Sequence, residues 1–174
     1  NMHAVSCLPA ITGSWRYVGG GGMHSNNDLY AGIDQSLIMA TDVADMSIRA
    51  LDMCRLGPIL ARDEDALLGD APVTAMFVQN VNPADVAPDT RSVRDGLARD
   101  DLFLCVHEQF MTETAAMADI VLPATTFLEH EDIYVAGGHT FVQVTKPVIE
   151  ALADARPNHF VICELAKRLG AEHP

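Results

Sequence analysis

The sequence predicts an α/β fold, a doubly wound, mostly parallel sheet with flanking helices, and three observations carry that prediction. From residue 72 onward, short unbroken apolar runs alternate with stretches of helical spacing. The runs are rich in β-branched residues, and polar residues follow them. Parallel strands are covered on both faces and read as continuous apolar runs, and strand alternating with helix marks right-handed crossovers. Finally, 174 residues, 49 % hydrophobic and 20 % charged, suit a single soluble α/β domain spanning 1–174.

The elements follow in order. The first 70 residues have no regular pattern. "YVGGGG" at 17–22 carries too many glycines for the interior of a helix or strand, and it suits a tight loop approached by other backbone or by a ligand. "SIRALDMCRLGPIL" is compatible with one short helix stopped at Gly57-Pro58. "VTAMFVQN", residues 73–80, is the first strand, expected to be buried on both faces, and "NVNPADVAPD" is its exit loop. In "DTRSVRDGLARD" Val93 and Leu97 stand at helical spacing, and "LFLCV" at 102–106 is a second buried strand. "TETAAMA" reads as a short helix and "DIVLP" as the third strand. "EHEDIYVAGGHTFVQVTKPV" reads as a loop and a β-ribbon bent at Gly137-Gly138. "NHFVICELAKRLG" is the closing helix, entered after Pro157, with Phe160, Ile162, Leu165 and Leu169 available to the core and Gly170 as its stop.

Charge and cysteines exclude several functions. Eleven Lys plus Arg against 24 Asp plus Glu leave a net charge of −13, which repels a nucleic-acid backbone. No apolar run reaches the roughly 18 residues of a membrane-spanning helix, and no signal segment opens the chain, so a cytoplasmic location is expected, with the periplasm as the alternative. Cys7, Cys54, Cys105 and Cys163 form no CxxC pair, so neither a zinc nor an iron–sulfur site is legible. Cys105 and Cys163 lie in apolar runs and are expected to be buried. The chain starts at Asn1 and reads as a piece of a longer protein.

In an open parallel sheet, ligands bind outside the carboxyl ends of the strands. The first strand ends in Gln79, Asn80 and Asn82-Pro83, and the second in His107-Glu108. Such residues suit a nucleotide, because a carboxylate accepts hydrogen bonds from ribose hydroxyls or from guanine N1–H and its amine, and Asn both donates and accepts. Neither GxGxxG in a strand-turn-helix context nor GxxxxGK[ST] is present, and there is no GxSxG. His107, Glu108, Glu129, His130, Glu131 and Asp132 have the chemistry of metal ligands, but neighbours on an extended segment point to opposite faces and seldom share one ion. No metal ligand is therefore assigned.

The string "VHEQFMTETAAMADIVLPATTFLEHEDIY" resembles the strand-end segment of the molybdopterin oxidoreductases of the dimethyl sulfoxide reductase superfamily, which includes formate dehydrogenases and nitrate or thiosulfate reductases. "FVQNVNPADVAPD", "LPAITGSWRYVGGGG" and "NHFVICELAKRLG" resemble further parts of the same family, leaving out only residues 30–70 or so. The resemblance implies a domain holding one guanosine arm of a bis(molybdopterin guanine dinucleotide) that carries Mo or W. Asn82, with Asn80 and Pro83 beside it, falls where the family's loop Asn or Asp meets the cofactor. His107 and Glu108 fall where a polar–acidic pair contacts the guanosine end. His130 stands where some members carry Lys, and Asn158 where others carry Asp at the helix entry. The resemblance places the molybdenum ligand and any iron–sulfur cysteines upstream of Asn1, so no catalytic residue is nominated and the isolated piece is expected to be inactive. The expected partners are the cofactor, the remaining domains of the same enzyme and an electron-transfer subunit. A stand-alone nucleotide-binding or interaction module without redox chemistry is the alternative.

Overall fold

The structure, a computed structural model, describes residues 2–22, 45, 47–135 and 141–171. It divides into two compact units, residues 1–45 with 133–143 and residues 46–132 with 144–174. In the first unit a helix, α1 (Met2–Ile11), stands where no regular element was expected. Its sequence is apolar almost throughout and contains Pro9, so it shows neither a polar face nor a start signal. The glycine run does form a tight turn: a Cβ on Gly20 would stand 2.2 Å from the Ser14 carbonyl oxygen.

The second unit carries the sheet. Its first helix, α2 (Leu56–Leu60), runs through Gly57-Pro58 instead of stopping there. Pro58 sits in the first turn, where its missing N–H loses no intrahelical bond. Strand β1 (Ala75–Gln79) leads through a short helix, α3 (Pro83–Val86), into α4 (Thr90–Leu97), whose entry is capped by the Asp89 side chain accepting from Ser92 N at 3.4 Å. The Asn- and Pro-rich stretch after β1 is thus partly helical, because Pro83 is already set for a first helical position. Strand β2 (Phe103–Glu108) and strand β3 (Ile120–Pro123) complete a parallel sheet in the order β1-β2-β3. The second helical stretch, expected at "TETAAMA", is a single 3-10 turn at Ala115–Met117. Strands β4 (Asp132–Val135) and β5 (Val142–Thr145) pair as the expected ribbon, and its bend at Gly137-Gly138 lies outside the described residues. The last helix is α5 (Asn158–Arg168), with Gly170 at φ 72 just beyond it.

Side chains alternate across a strand, so the register sorts the sheet into two faces. Val78, Leu104 and Val106 face α2 and α4 and form the core with Leu60, Val93 and Leu97, all 3 % exposed or less. The helices pack closely there: a Cβ on Gly96 would stand 2.4 Å from that of Leu60. On the other face Phe77, Cys105 and Ile120 are register partners, as are Ala75 and Phe103. Phe77, Phe103 and Ile120 are 39 to 49 % exposed. The expectation that β1 and β2 are buried on both faces is therefore corrected. Cys105 is half-buried, which pushes its thiol up, and Cys163 is exposed. In α5 the buried residue is Val161, while Phe160, Ile162 and Leu169 are exposed and Leu165 is intermediate. Among the described residues no helix is long and apolar enough to cross a membrane.

Candidate functional site at the carboxyl edge of the sheet

The carboxyl ends of β1, β2 and β3 bring most of the sequence-predicted residues to one edge. Gln79 and His107 are register partners, and so are His107 and Leu122. Just past β1, Asn80 takes a left-handed backbone conformation at φ 60, which Asn tolerates better than most residues. Its Oδ1 accepts from Asn158 Nδ2 at 3.1 Å. Asn158 is the first residue of α5, so this bond joins the β1 exit to the entry of the last helix.

Asn82 looks inward. Its Oδ1 accepts from Thr114 Oγ1 at 2.6 Å and from Thr114 N at 3.2 Å, while its Nδ2 donates to Glu113 Oε2 at 2.7 Å. Thr114, fully buried, accepts in turn from Ala84 N at 3.0 Å. Pro83, the neighbour of Asn82, is buried. The Asn82 amide also holds the Glu113 carboxyl below its ordinary range. This network ties the loop after β1 to the loop after β2.

His107 is 1 % exposed. Its Nε2 lies 3.1 Å from the Arg156 carbonyl oxygen and its Nδ1 lies 2.8 Å from Gln79 Nε2. A carbonyl can only accept, so the ring proton sits on Nε2 and Nδ1 accepts from the Gln79 amide. Glu108 is half-buried; one of its carboxylate oxygens accepts from Gln109 N at 2.8 Å. Gln109 Nε2 reaches the Thr125 carbonyl at 3.0 Å.

The third loop answers why so many acids follow β3. Glu129 Oε2 accepts from Thr126 N at 2.7 Å and Oε1 from Leu152 N at 3.0 Å, so one carboxylate staples two loop segments. The Thr126 backbone N–H, first among the causes, keeps that carboxyl below its ordinary range. His130 Nδ1 lies 2.8 Å from the buried Thr125 hydroxyl, and its Nε2 is 3.6 Å from Asp132 Oδ2. Arg156 extends the sheet edge through a parallel bridge to Ala124, with Arg156 N donating to Pro123 O at 3.0 Å and Thr125 N to Arg156 O at 3.2 Å. Among the described residues no three His, Cys, Asp or Glu side chains gather to hold a metal ion.

Asn80, Glu108 and Asn158 thus present polar atoms along the edge, with His130 beside the third loop, whereas Asn82 and His107 engage partners within the chain. Thr114, Gln109 and Arg156 were not singled out by sequence reasoning. Thr114 lies within the string that carries the family resemblance, but nothing in the sequence separates it from Thr112 two residues earlier. The Thr126-x-x-Glu129 spacing of a capping box was a usable signal for the third loop. For Arg156 the operative group is backbone.

Comparison with known proteins joins this chain to a family. A family profile described as Molybdopterin oxidoreductase matches residues 12–168. "Probable oxidoreductase YoaE" of Bacillus subtilis (strain 168) is 39 % identical over 97 % of this chain, which spans 24 % of that protein. "Formate dehydrogenase H" of Escherichia coli (strain K12) is 32 % identical over 56 % of the chain and 13 % of its own length. Among solved structures, acetylene hydratase from Pelobacter acetylenicus superposes with a TM-score of 0.56 at 30 % identity, covering 67 % of this chain and 15 % of that one. The chain therefore spans about a quarter or less of the relatives it matches. With the profile covering most of its length, this chain belongs to the molybdopterin oxidoreductase family.

Proposed function

We propose that residues 1–174 form one domain of a longer molybdenum or tungsten oxidoreductase, and that the carboxyl edge of β1–β3 binds the guanosine end of a molybdopterin guanine dinucleotide. The site residues are Asn80, Glu108 and Asn158 at the rim, His130 beside it, and Asn82, Pro83 and the buried His107 beneath it. When bound, the cofactor supplies the metal for two-electron redox or oxygen-atom transfer. The chain's own residues hold and orient its nucleotide arm, and catalytic groups, iron–sulfur ligands and an electron-transfer subunit are assigned to other parts of the assembly.

The observation that carries this reading is the placement of Asn80 and Glu108 at the ends of adjacent strands, with Asn158 hydrogen-bonded to Asn80 from the entry of α5. The donor set fits a guanosine. One Glu108 oxygen has no partner among the described residues and can accept from guanine N1–H or from ribose hydroxyls. Asn80 and Asn158, 3.1 Å apart, offer both donors and acceptors. The α5 N-terminus, with no acid in its first turn, favours an anionic neighbour.

The test is Glu108→Ala in the full-length protein, with nucleotides released by acid quantified by mass spectrometry and molybdenum and tungsten measured alongside. A lost hydrogen bond to a charged group weakens binding about ten- to a hundredfold, so guanosine nucleotide per polypeptide falls clearly below wild type. Unchanged nucleotide content overturns the assignment.

A further inference from the structure

Beneath the edge lies a group that the nucleotide need not touch. His107 shares a register row with Gln79 and Leu122, on the sheet face where Phe77 and Ile120 are part-exposed, yet it is almost completely buried. Its ring joins three segments: Gln79 at the end of β1, its own strand, and Arg156 at the entry to α5. The residue after Gln79 is Asn80, and two residues after Arg156 comes Asn158. Those two asparagines are themselves hydrogen-bonded. The contacts therefore close a circuit, running Asn80, Gln79, His107, Arg156, Asn158 and back to Asn80.

From this circuit we infer that His107 is a positioning residue, which acts on the nucleotide site through Arg156 and Asn158 rather than by touching the ligand. The inference rests on the site proposed above. Each ring nitrogen has one role: Nε2–H donates to the Arg156 carbonyl and Nδ1 accepts from the Gln79 amide, so the imidazole is a spacer of fixed length and polarity. The same Arg156 carbonyl accepts from Thr125 N, which anchors the spacer to the β3 exit as well. Without the ring, the α5 entry keeps its bridge to Ala124 but loses one of its two links to β1. The Asn80–Asn158 spacing is then held by a single exposed amide pair. A site of fixed geometry needs such buried support, since side chains at a rim are otherwise free to rotate.

The experiment compares His107→Leu, His107→Gln, Gln79→Met and Asn158→Ala in the full-length protein. Two quantities are read: hydrogen exchange at the Arg156 and Thr125 amides, and released guanosine nucleotide per polypeptide. His107→Leu raises exchange at both amides about tenfold, the factor that one lost buried hydrogen bond carries, and lowers nucleotide content. Gln79→Met does the same to a smaller extent and covers the case in which His107→Leu does not accumulate folded. His107→Gln, whose carboxamide supplies one acceptor and one donor, restores part of both. Asn158→Ala lowers content with exchange unchanged. Nucleotide loss in His107→Leu with wild-type exchange means that the ring touches the ligand directly, and wild-type values of both mean that it positions nothing; either overturns the inference. Absence of guanosine nucleotide from the wild-type protein overturns the binding site instead, and the exchange data then still decide whether His107 holds the α5 entry.

Discussion

The two faces of the three-stranded sheet both carry large apolar side chains, and these end in opposite states. Leu104 and Val106 are 1 % exposed under α2 and α4. Phe103, one residue from Leu104, is 49 % exposed, and its face carries Phe77 and Ile120 in the same condition. Parallel sheets are normally covered on both sides. The comparison teaches that apolar sequence sets the demand for cover, while the supply depends on which elements lie within reach. Here α2 and α4 supply one side.

The largest effect expected from this contrast is at the covered face. Leu104→Ala removes a side chain from the packed core and costs about 2 to 5 kcal/mol, checked by native-state hydrogen exchange of the β2 amides. Next comes the network at the same end of the sheet. Thr114→Val leaves Ala84 N without its acceptor and strips a donor from Asn82, a loss of about 1 to 3 kcal/mol in the same measurement. The open face gives less: Phe103→Ala costs about 1 kcal/mol, because roughly half of its surface is already in water. A Phe103→Ala cost equal to that of Leu104→Ala would mean that the two faces are equally packed in the full-length protein, and so would break the comparison.

The smallest effect lies at the exposed third loop. The Glu129 carboxyl is held below its ordinary range by backbone N–H donors. Its folded value is therefore lower than its unfolded one, so its contribution is complete above the unfolded value near pH 4.3 and is lost as pH falls through the lower, folded value. Glu129→Gln removes that acid sensitivity. Exchange at the Thr126 and Leu152 amides, followed from pH 5 to 3, reports it directly: wild type gains exchange beyond the intrinsic pH trend, and the variant does not.

Much of the fold was legible. Unbroken apolar runs gave the three parallel strands, and the spacing of Val93 and Leu97 gave α4. The uncovered face was hidden for a physical reason. Alternation shows in a sequence only when the two faces differ in polarity, and "LFLCV" is apolar on both. The helix at residues 2–11 escaped because a helix without a polar side has no periodicity to detect. At the candidate site, which residues follow the strand ends was legible, and where their side chains turn was not. Asn82 and Asn80 are two positions apart in one loop, yet the first turns in to Thr114 and the second out to Asn158. Backbone conformation decides that, with Asn80 at φ 60 and Asn82 at φ −110. The acid-rich turn after β3 proved to be a staple between loop segments, which only the distant Leu152 N–H reveals.

The Arg156 carbonyl, receiving both His107 and Thr125, has a last consequence for how such proteins vary. A carbonyl is common to all twenty amino acids, so nothing in this duty ties position 156 to arginine. Over generations its side chain can drift while the imidazole that depends on its oxygen cannot. Catalogues of invariant letters would then record one end of the hydrogen bond and pass over the other.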